Sequence, residues 1–470
     1  MPQVRIAVGR RGTLGQILLS TTRDAARAHA EIDRAIGKPL TATTESDERR
    51  GFYREDGVLR CDGTSLDAVA DAVGTPAYLY SVGEIHAQYA QLSAALSGVP
   101  HRIHYSVKAN SNLAILGILR TLGSGVDIVS GGEMYRAQSA GFKGHDIVFS
   151  GVGKTEREMV EALTLGVLMI NVESEQELER WDDVAGRMGK KAPIALRVNP
   201  EVMVDTPHPY TRTGVKGMKF GIPFDETLVV ARRALGMKNI SLVGLDMHVG
   251  SQISQFEPYE IGLGRLLQLK KEIQEAGANE LEYLDIGGGL AVSYDEEHPI
   301  DVEGFGAVVE RLVGPTGLKV IVEPGRYLVG NAGILLTRVL YRKKSGGKEF
   351  IIVDAGMNDL IRPSHYNAYH RIEAVNPSGD RIVADIVGPV CESGDFLGLH
   401  RDVDDVVPGD LVAVRSAGAY GFVMASNYNS RTRVAEVLIE RGRFGVVTER
   451  EQYSDLVRKE RLEPEWRKVT

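Results

Sequence analysis

From about residue 84, short runs rich in β-branched residues alternate with longer stretches in which apolar residues recur every three or four positions. The short runs have the length and composition of buried strands, and the longer stretches are typical of amphipathic helices. This alternation predicts a parallel sheet covered by helices. The predicted strands lie at 103–107, 126–130, 147–150, 168–172, 194–198, 243–249, 281–286 and 319–323.

Helices are predicted between these strands, at 133–140, 156–165, 175–188, 225–235, 259–275 and 302–313. Three of them follow a residue that favours a helix N-terminus, namely Thr155, Ser174 or Pro223. Eight strands separated by helices over about 240 residues favour a (β/α)8 barrel over the alternative, two Rossmann halves. We therefore predict an α/β fold built around a (β/α)8 barrel.

The pattern changes after residue 335, where Gly, Pro, Asn and Asp separate the apolar runs. Strand-like runs at 334–341, 349–353, 381–387, 411–415 and 432–439 predict an antiparallel β domain. The segment 51–80 holds the strand-like stretches "VLRC" and "AYLY", and we expect it to add a strand to the β domain or to lead into the barrel. The predicted domains are this joining segment, a barrel at 81–335 and a β domain at 336–470.

Residues 1–50 are predicted to be a flexible extension. Up to Arg23 the chain has arginine, serine and threonine but no acid, a pattern that mildly resembles an organellar transit peptide. Asp24, Glu31 and Asp33 follow soon afterwards and favour the plain extension.

Composition and charge exclude several classes of function. The 470 residues, 43% of them hydrophobic, suffice for a barrel and a second domain. The net charge of −8, without blocks of like charge, argues against a nucleic-acid partner. Cys61 and Cys391 are too few for a disulfide framework or a zinc site, so we expect no metal and a reducing compartment. No apolar run reaches the roughly 18 residues of a membrane span, and we expect a cytoplasmic protein without a membrane partner.

Polar and glycine-rich residues lie at or near the C-terminal ends of five of the predicted strands, at the rim where barrels carry their active sites. They are Lys108, Asp127, the stretch 248–251 (HVGS), the glycines 287–289 and the stretch 323–326 (EPGR). Together they offer an amine, an imidazole, backbone N–H groups and an acid, which are the groups that pyridoxal phosphate requires. Glycine N–H groups can cradle its phosphate, the lysine can form a Schiff base, and the acid can keep the pyridine nitrogen protonated.

Each of these residues also has a structural explanation. Lys108 alone could be a surface lysine, and His248 could be a hydrogen-bonded structural residue. The glycines could form a tight turn, and Glu323 could pair with Arg326. Their position at one rim favours a shared site.

A second glycine-rich stretch, "GVGKT" at 151–155, resembles the end of a P-loop. The P-loop pattern requires glycine at position 148, which is valine here. The stretch is therefore predicted only to begin a helix.

Successive motifs between residues 52 and 445 resemble those of the diaminopimelate decarboxylase family. This family has the alanine-racemase fold of pyridoxal-phosphate enzymes (fold type III), a barrel joined to a β domain. The resemblance implies decarboxylation of meso-2,6-diaminopimelate to L-lysine and carbon dioxide, the last step of lysine biosynthesis. The motifs are HYSVKAN, VDIVSGGEMYRAQSAGF, IVFSGVGKTERE, HVGSQI, DIGGGL, VEPGRYLVGNAG, DAGMNDLIRPSHY, GPVCESGDFL and GAYGFVMASNYN.

The resemblance implies roles for the barrel residues. Lys108 would form the Schiff base, His248 would stack on the pyridine ring and Glu323 would pair with the ring nitrogen. Asp127 would orient His248 or Lys108. The implied phosphate ligands are Ser251, Gly287, Gly288, Gly289 and the backbone of Gly325 and Arg326.

The resemblance also implies how the substrate is bound. Arg362 and Tyr366 match a substrate-binding pair that Arg326 joins, and Tyr420 matches a residue that contacts both cofactor and substrate. The substrate end that keeps its carboxylate must be recognised ionically, and each arginine can bind a carboxylate through two N–H groups.

Cys391 would be the proton donor, and Glu392 would hold the distal ammonium. A thiol is mostly protonated at neutral pH and can donate to a carbanion, although a lone cysteine is usually a small buried hydrophobe. In this family the loop of Cys391 reaches the neighbouring subunit's site, so a homodimer with shared active sites is implied.

Three alternatives remain open. A decarboxylase acting on ornithine or arginine would share the barrel motifs. An amino-acid racemase of this fold generally has an arginine where Glu323 stands. A pyridoxal-phosphate-binding protein without turnover is typically a lone barrel, and Arg362, Cys391 and Glu392 argue against it. The stretch "PSHY" departs from the family pattern at His365, whose effect on selectivity stays open.

Overall fold

The computed structural model describes residues 49–202, 214, 217–278, 281–295 and 298–467. The predicted N-terminal extension, with its transit-peptide alternative, lies outside these residues except for its last two positions. Within the described ranges, no helix combines the length and the apolar character that crossing a membrane requires.

The first described segment forms short strands and a helix and then leads to the barrel. Ser65 caps the first helix by accepting the N–H of Ala68. The last strand of the segment joins the sheet of the C-terminal half, which is one of the two outcomes predicted for it. The elements are β1 Phe52–Glu55, β2 Val58–Cys61, β3 Thr64–Ser65, α1 Leu66–Val73, β4 Ala77–Ser81 and α2 Val82–Ala95.

Eight parallel strands close into the predicted barrel. Each strand pairs with the next along the chain, and the last, β13, pairs with the first, β5. The short β10 adds an edge to β9. The strands are β5 His101–Ser106, β6 Gly125–Ile128, β7 Ile147–Phe149, β8 Met169–Val172, β9 Ala192–Asn199, β10 Ile222–Pro223, β11 Ile240–Asp246, β12 Tyr283–Asp285 and β13 Lys319–Val322.

The helices alternate with these strands. Thr155 and Ser174 cap their helices as predicted, each accepting an N–H three residues ahead. The helix at 113–121 was not predicted, because apolar residues occupy nearly all of it and leave no polar face to reveal its period. The helices are α3 Leu113–Thr121, α4 Gly131–Ser139, α5 Glu156–Leu165, α6 Glu175–Arg187, α7 Phe224–Gly236, α8 Glu257–Glu275 and α9 Val302–Val313, with 3₁₀ turns at Val107–Ala109, Gly144–Asp146 and Gly314–Thr316.

The C-terminal half forms the second sheet. Its strand order is β18-β17-β15-β14-β4-β20-β21, and β19 pairs with both β14 and β16. The elements are α10 Arg326–Val329, β14 Gly333–Ser345, β15 Lys348–Val353, α11 Arg362–Tyr366, β16 Ile372–Ala374, β17 Arg381–Val387, β18 Phe396–Asp404, β19 Leu411–Val414, β20 Ala435–Glu440, β21 Arg443–Thr448 and α12 Tyr453–Val457, with 3₁₀ turns at Phe422–Met424 and Tyr428–Ser430.

This sheet is antiparallel in most of its pairings, with two exceptions. β15 pairs with β17, and β4 pairs with β20, in parallel. Parallel partners need long connections between them. β4 and β20 have such a connection, because the whole barrel lies between them in the chain.

Hydrogen bonds fasten the second sheet to the rim of the barrel. Tyr420 donates its N–H to the carbonyl of Ala109 at 2.8 Å, and Asn110 donates its side-chain amide to the carbonyl of Gly418 at 3.1 Å. The loop after β19 therefore lies directly over the end of β5.

Candidate active site

A cleft of about 380 Å³ opens where the barrel rim meets the loop after β19. It contains residues from the ends of β5, β11, β12 and β13, which is where barrel active sites lie. Many of the sequence-predicted site residues are in this cleft. Its lining residues are Ser106, Lys108, His248, Ser251, Gly289, Leu290, Glu323, Pro324, Gly325, Arg326, Tyr327 and Tyr420.

Lys108 lies on the 3₁₀ turn directly after β5, with 39% of its side chain exposed. Its Nζ donates to Asp127 Oδ2 at 2.7 Å and to Ser106 Oγ at 3.2 Å. Partial burial lowers the pKa of Lys108, but the carboxylates of Asp127 and Glu323 outweigh it, and the pKa is raised. Lys108 is therefore a strongly held cation in this arrangement.

Asp127 is fully buried at the end of β6. Burial raises the pKa of its carboxyl, but Lys108 opposes this by charge and by hydrogen bonding, and the pKa is lowered. The sequence analysis expects Asp127 to orient either His248 or Lys108. In the structure, Asp127 Oδ2 accepts a hydrogen bond from Lys108 Nζ.

His248 follows β11 in a loop. The strand ends at Asp246, three residues before the predicted end at 249. Burial, followed by the charges of Arg197 and Lys108, lowers the pKa of His248 to about 3. The ring is therefore neutral at physiological pH, and its Nδ1 accepts the N–H of Gly288 at 3.2 Å. This bond places the ring proton on Nε2.

The glycines at 287–289 bring backbone segments into close approach. Gly287 and Gly289 have left-handed φ values of 69° and 99°. A Cβ on Gly288 would lie 2.2 Å from the carbonyl oxygen of Glu323, and a Cβ on Gly289 would lie 2.4 Å from that of Gly250. No side chain fits at these positions, so the turn leaves bare backbone at the cleft.

Glu323 directly follows β13 and is buried, with 7% of its surface exposed. Its Oε1 lies 3.4 Å from Ser150 Oγ and 3.5 Å from the amide nitrogen of Asn171. Burial is the largest cause that raises the pKa of Glu323, and the nearby carboxyls of Asp127, Asp285 and Asp246 raise it further.

Asp246 and Asp285 were not identified from the sequence. They and Glu323 are buried, and one carboxylate oxygen from each lies within 4.8 Å of the others. Arg197, also missed, donates to Glu173 Oε1 at 2.9 Å and has its Nε 3.7 Å from Asp246 Oδ2. The sequence signal that could have identified these three residues is that each is an ionisable residue within an apolar, strand-like run.

Two buried arginines face a single tyrosine at one side of the cleft. Arg326 and Arg362 donate from their Nη1 atoms to the Tyr294 hydroxyl oxygen, at 2.5 Å and 2.8 Å. Arg362 Nη1 also lies 3.2 Å from Nε2 of His370, whose Nδ1 donates to the carbonyl of Arg415. Burial, then the charge of Arg362, lowers the pKa of His370 to about 3, so this ring is neutral and its Nε2 is an acceptor. Tyr294 and His370 had no local sequence signal.

Tyr420 and Tyr366 complete this side of the site. Tyr420 has a left-handed φ of 57°, and its ring centroid lies 4.8 Å from the Arg326 guanidinium carbon. Tyr366 ends α11, which also carries Arg362, and is half-buried. The ring of His365 lies 4.5 Å from that of Tyr366.

Cys391 and Glu392 lie elsewhere. Both are exposed in the loop between β17 and β18, and neither is among the described residues that line the cleft. Cys391 donates its N–H to Asn429 Oδ1 at 2.9 Å, while Asp395 accepts the N–H of Met357 and Val390. Hydrogen bonds within the loop and to Met357 and Asn429 hold it in place, and the side chains of Cys391 and Glu392 are exposed.

Comparisons with known proteins identify the family of this chain. A family model described as "Pyridoxal-dependent decarboxylase, pyridoxal binding domain" matches residues 82–330. The chain is 48% identical over 419 residues to diaminopimelate decarboxylase of Pseudomonas aeruginosa, covering 88% of this chain and 99% of the relative. It is 46% identical over 408 residues to that of Aquifex aeolicus, covering 86% and 96%. The crystal structure of Helicobacter pylori diaminopimelate decarboxylase complexed with L-lysine superposes with a TM-score of 0.81 at 40% identity, covering 83% and 98%.

Proposed function

This chain belongs to the pyridoxal-dependent decarboxylases and, within them, to the diaminopimelate decarboxylases, and from this premise we propose how its residues perform the reaction. The enzyme converts meso-2,6-diaminopimelate to L-lysine and carbon dioxide, the last step of lysine biosynthesis, with pyridoxal phosphate as cofactor. The observation that carries the proposal is one cleft that contains the rim lysine Lys108, the buried acid Glu323 and the buried Arg326. Arg326 shares the acceptor Tyr294 with a second buried arginine, Arg362.

The residues present fit pyridoxal phosphate. The turn at 287–289 leaves backbone where a Cβ would clash, His248 offers a neutral ring, and Glu323 is a buried acid with a raised pKa. When bound, the cofactor supplies a carbonyl that condenses with amines and a ring that accepts the electron pair released with carbon dioxide. The residues that would hold it are Lys108, His248, Ser251, Gly287, Gly288, Gly289, Glu323 and the backbone of Gly325 and Arg326.

Lys108 and Asp127 act as a proton-holding pair. Asp127 accepts from Lys108 Nζ and orients it, and Ser106 supplies a second hydrogen bond. Because the Asp127 carboxylate raises the pKa of Lys108, the Lys108 amine keeps a proton until a base removes it. Glu323 would share its own proton with the pyridine nitrogen, since burial disfavours its ionised form.

Arg326 and Arg362 bind the carboxylate that the substrate retains. Their guanidiniums are buried, so a carboxylate between them makes charge-assisted hydrogen bonds with little competition from water. Tyr366 and Tyr420 lie beside them and would contact the same end of the substrate. Recognition of this end leaves the other carboxylate for removal.

Cys391 donates the proton that replaces carbon dioxide, and Glu392 binds the distal ammonium, in the active site of a partner subunit. The support for a homodimer is that both side chains are exposed and outside the cleft of their own chain. A second copy is then needed to complete each site. A proton-donating thiol must stay reduced, which supports a cytoplasmic location.

The domain boundaries are also proposed. Residues 81–335 form the cofactor-binding barrel, residues 336–470 form the β domain, and residues 51–80 join the latter. The support is the pairing of β4 with β14 and β20, which makes the N-terminal segment part of the second sheet.

Substrate choice tests the proposed function. Carbon dioxide release is measured side by side from meso-diaminopimelate, L-lysine, L-ornithine and L-arginine, with the Lys108→Ala variant as the inactive control. Release from meso-diaminopimelate alone is expected, because only this substrate has a second carboxylate for Arg326 and Arg362. Preferred release from ornithine or arginine would contradict the proposal.

A further inference from the structure

Tyr294 is a buried residue that none of the roles above uses. It lies in the connection between β12 and α9, the same connection that carries the glycines at 287–289. Its side chain is 7% exposed, and its ring also makes an edge contact with His370, with centroids 5.2 Å apart. The position places its hydroxyl oxygen between Arg326 and Arg362.

The two arginines repel each other in this buried setting. Burial lowers the pKa of Arg362, and the charge of Arg326 lowers it further, whereas Tyr294 opposes both effects. Conversely, the two guanidiniums lower the pKa of Tyr294 against the effect of its own burial. A hydroxyl oxygen within hydrogen-bond distance of both Nη1 atoms offsets this repulsion and fixes their separation.

The remaining contacts of the arginines leave most of their donors uncommitted. Besides Tyr294, Arg326 donates from Nη2 to Ser251 Oγ at 3.2 Å, and its Nε is buried without a hydrogen-bond partner among the described residues. Arg362 is steadied on its other side by His370. The Tyr294 hydroxyl is a hydrogen-bond acceptor that both guanidiniums use.

We propose that Tyr294 is a positioning residue for the substrate carboxylate: its hydroxyl oxygen joins Arg326 and Arg362 into one clamp with a fixed spacing. The inference rests on the proposed role of these arginines. It makes Tyr294 a determinant of specificity for ligands that carry the distal carboxylate. Diamines that lack this carboxylate do not use the clamp and are indifferent to Tyr294.

The Tyr294→Phe holoenzyme tests the proposal. Loss of the shared acceptor leaves two buried cationic donors unsatisfied, so we expect the KM for meso-diaminopimelate to rise at least tenfold. The kcat changes less than about threefold, because the clamp does not contact the bond that breaks. The inhibition constant of L-lysine rises with the KM, and that of 1,5-diaminopentane stays within about twofold of wild type.

A matched control is Tyr80→Phe. Tyr80 is also buried, donates to Glu436 at 2.7 Å in the second sheet and is not among the described residues that line the cleft. The Tyr80→Phe variant should have a lower unfolding temperature than wild type, with unchanged inhibition constants for L-lysine and 1,5-diaminopentane. If Tyr294→Phe does not fold, 4-fluorophenylalanine at position 294 fills the same volume with a poor acceptor and is expected to show the same selective loss.

Two outcomes overturn the inference and are distinguishable from failure of the proposed function. An unchanged KM in Tyr294→Phe with an active wild type refutes the positioning role alone. A parallel weakening of L-lysine and 1,5-diaminopentane assigns Tyr294 a merely structural role and also refutes it. A wild type that does not release carbon dioxide from meso-diaminopimelate refutes the function itself.

Discussion

Replacing Asp127 with asparagine tests the charge balance around Lys108. The substitution keeps the shape of the side chain and removes the buried negative charge 2.7 Å from Nζ. A hydrogen bond that involves a charged group contributes about 1.5–3 kcal/mol, and one pKa unit corresponds to about 1.4 kcal/mol. Because Asp127 raises the pKa of Lys108, its loss should lower that pKa by about one to two units.

Cofactor uptake by the apoenzyme reports this shift. Schiff-base formation requires the neutral amine, so the rate of uptake rises with pH until Lys108 is deprotonated. In Asp127→Asn the midpoint of this rise should move to lower pH by the same one to two units. Uptake is followed by visible absorbance, and borohydride reduction with peptide mapping checks that the label is on Lys108.

The control is Asp183→Asn on the outer face of α6. Asp183 pairs with Arg187 and is 63% exposed, so its loss removes an equal charge far from the cleft. Its uptake profile should match wild type. A midpoint in Asp127→Asn that is unchanged, or that moves to higher pH, would refute the account of Lys108 as an amine held protonated by Asp127.

Three further predictions concern other parts of the site. Glu323→Ala should lower kcat about a hundredfold or more with little change in KM, because its interaction strengthens as charge reaches the cofactor ring; near-normal turnover in steady-state kinetics would contradict this. Lys108→Ala and Cys391→Ala chains should each be nearly inactive alone and recover about a quarter of wild-type activity when subunits are mixed and exchanged; no recovery would count against the shared sites. Gly289→Ala should weaken cofactor binding and lower the free energy of unfolding by about 1–3 kcal/mol, because its Cβ would lie 2.4 Å from a carbonyl oxygen and its φ is left-handed. Cofactor titration and urea unfolding measure the two effects, and wild-type values would show that the turn can relax.

The barrel was predictable because each of its strands is a short apolar run that the residues within the run are enough to identify. Helix α3 was missed because burial on nearly all sides erases the polar face that would reveal its period. The strands β18 and β21 were missed for the opposite reason. They carry many exposed or charged residues and are stabilised by their neighbours in the sheet.

From the strand pattern alone, the site was predictable where a polar group lies at the end of a strand, whereas Arg362, Tyr366 and Tyr420 were named through the family resemblance. Lys108 and Glu323 satisfy that rule, and the structure places both in one cleft. Tyr294 does not, because its significance depends on Arg326 and Arg362, which lie 32 and 68 residues away in the chain. The tertiary fold brings these three residues together, and the sequence around Tyr294 has no pattern that predicts the contact.

The barrel is an insertion within the second domain. β4 is already a central strand of that domain's sheet, and its partners β14 and β20 are made only after the whole barrel. Where the chain leaves β4 for the barrel and where it returns, Ser81 donates its N–H to the carbonyl of Ala332 at 2.8 Å. During synthesis, β4 is therefore made before either of its partners in the sheet, and the barrel is made between them. Because the two ends of the barrel segment, at Ser81 and Ala332, are hydrogen-bonded to each other, a short linker is enough to connect them.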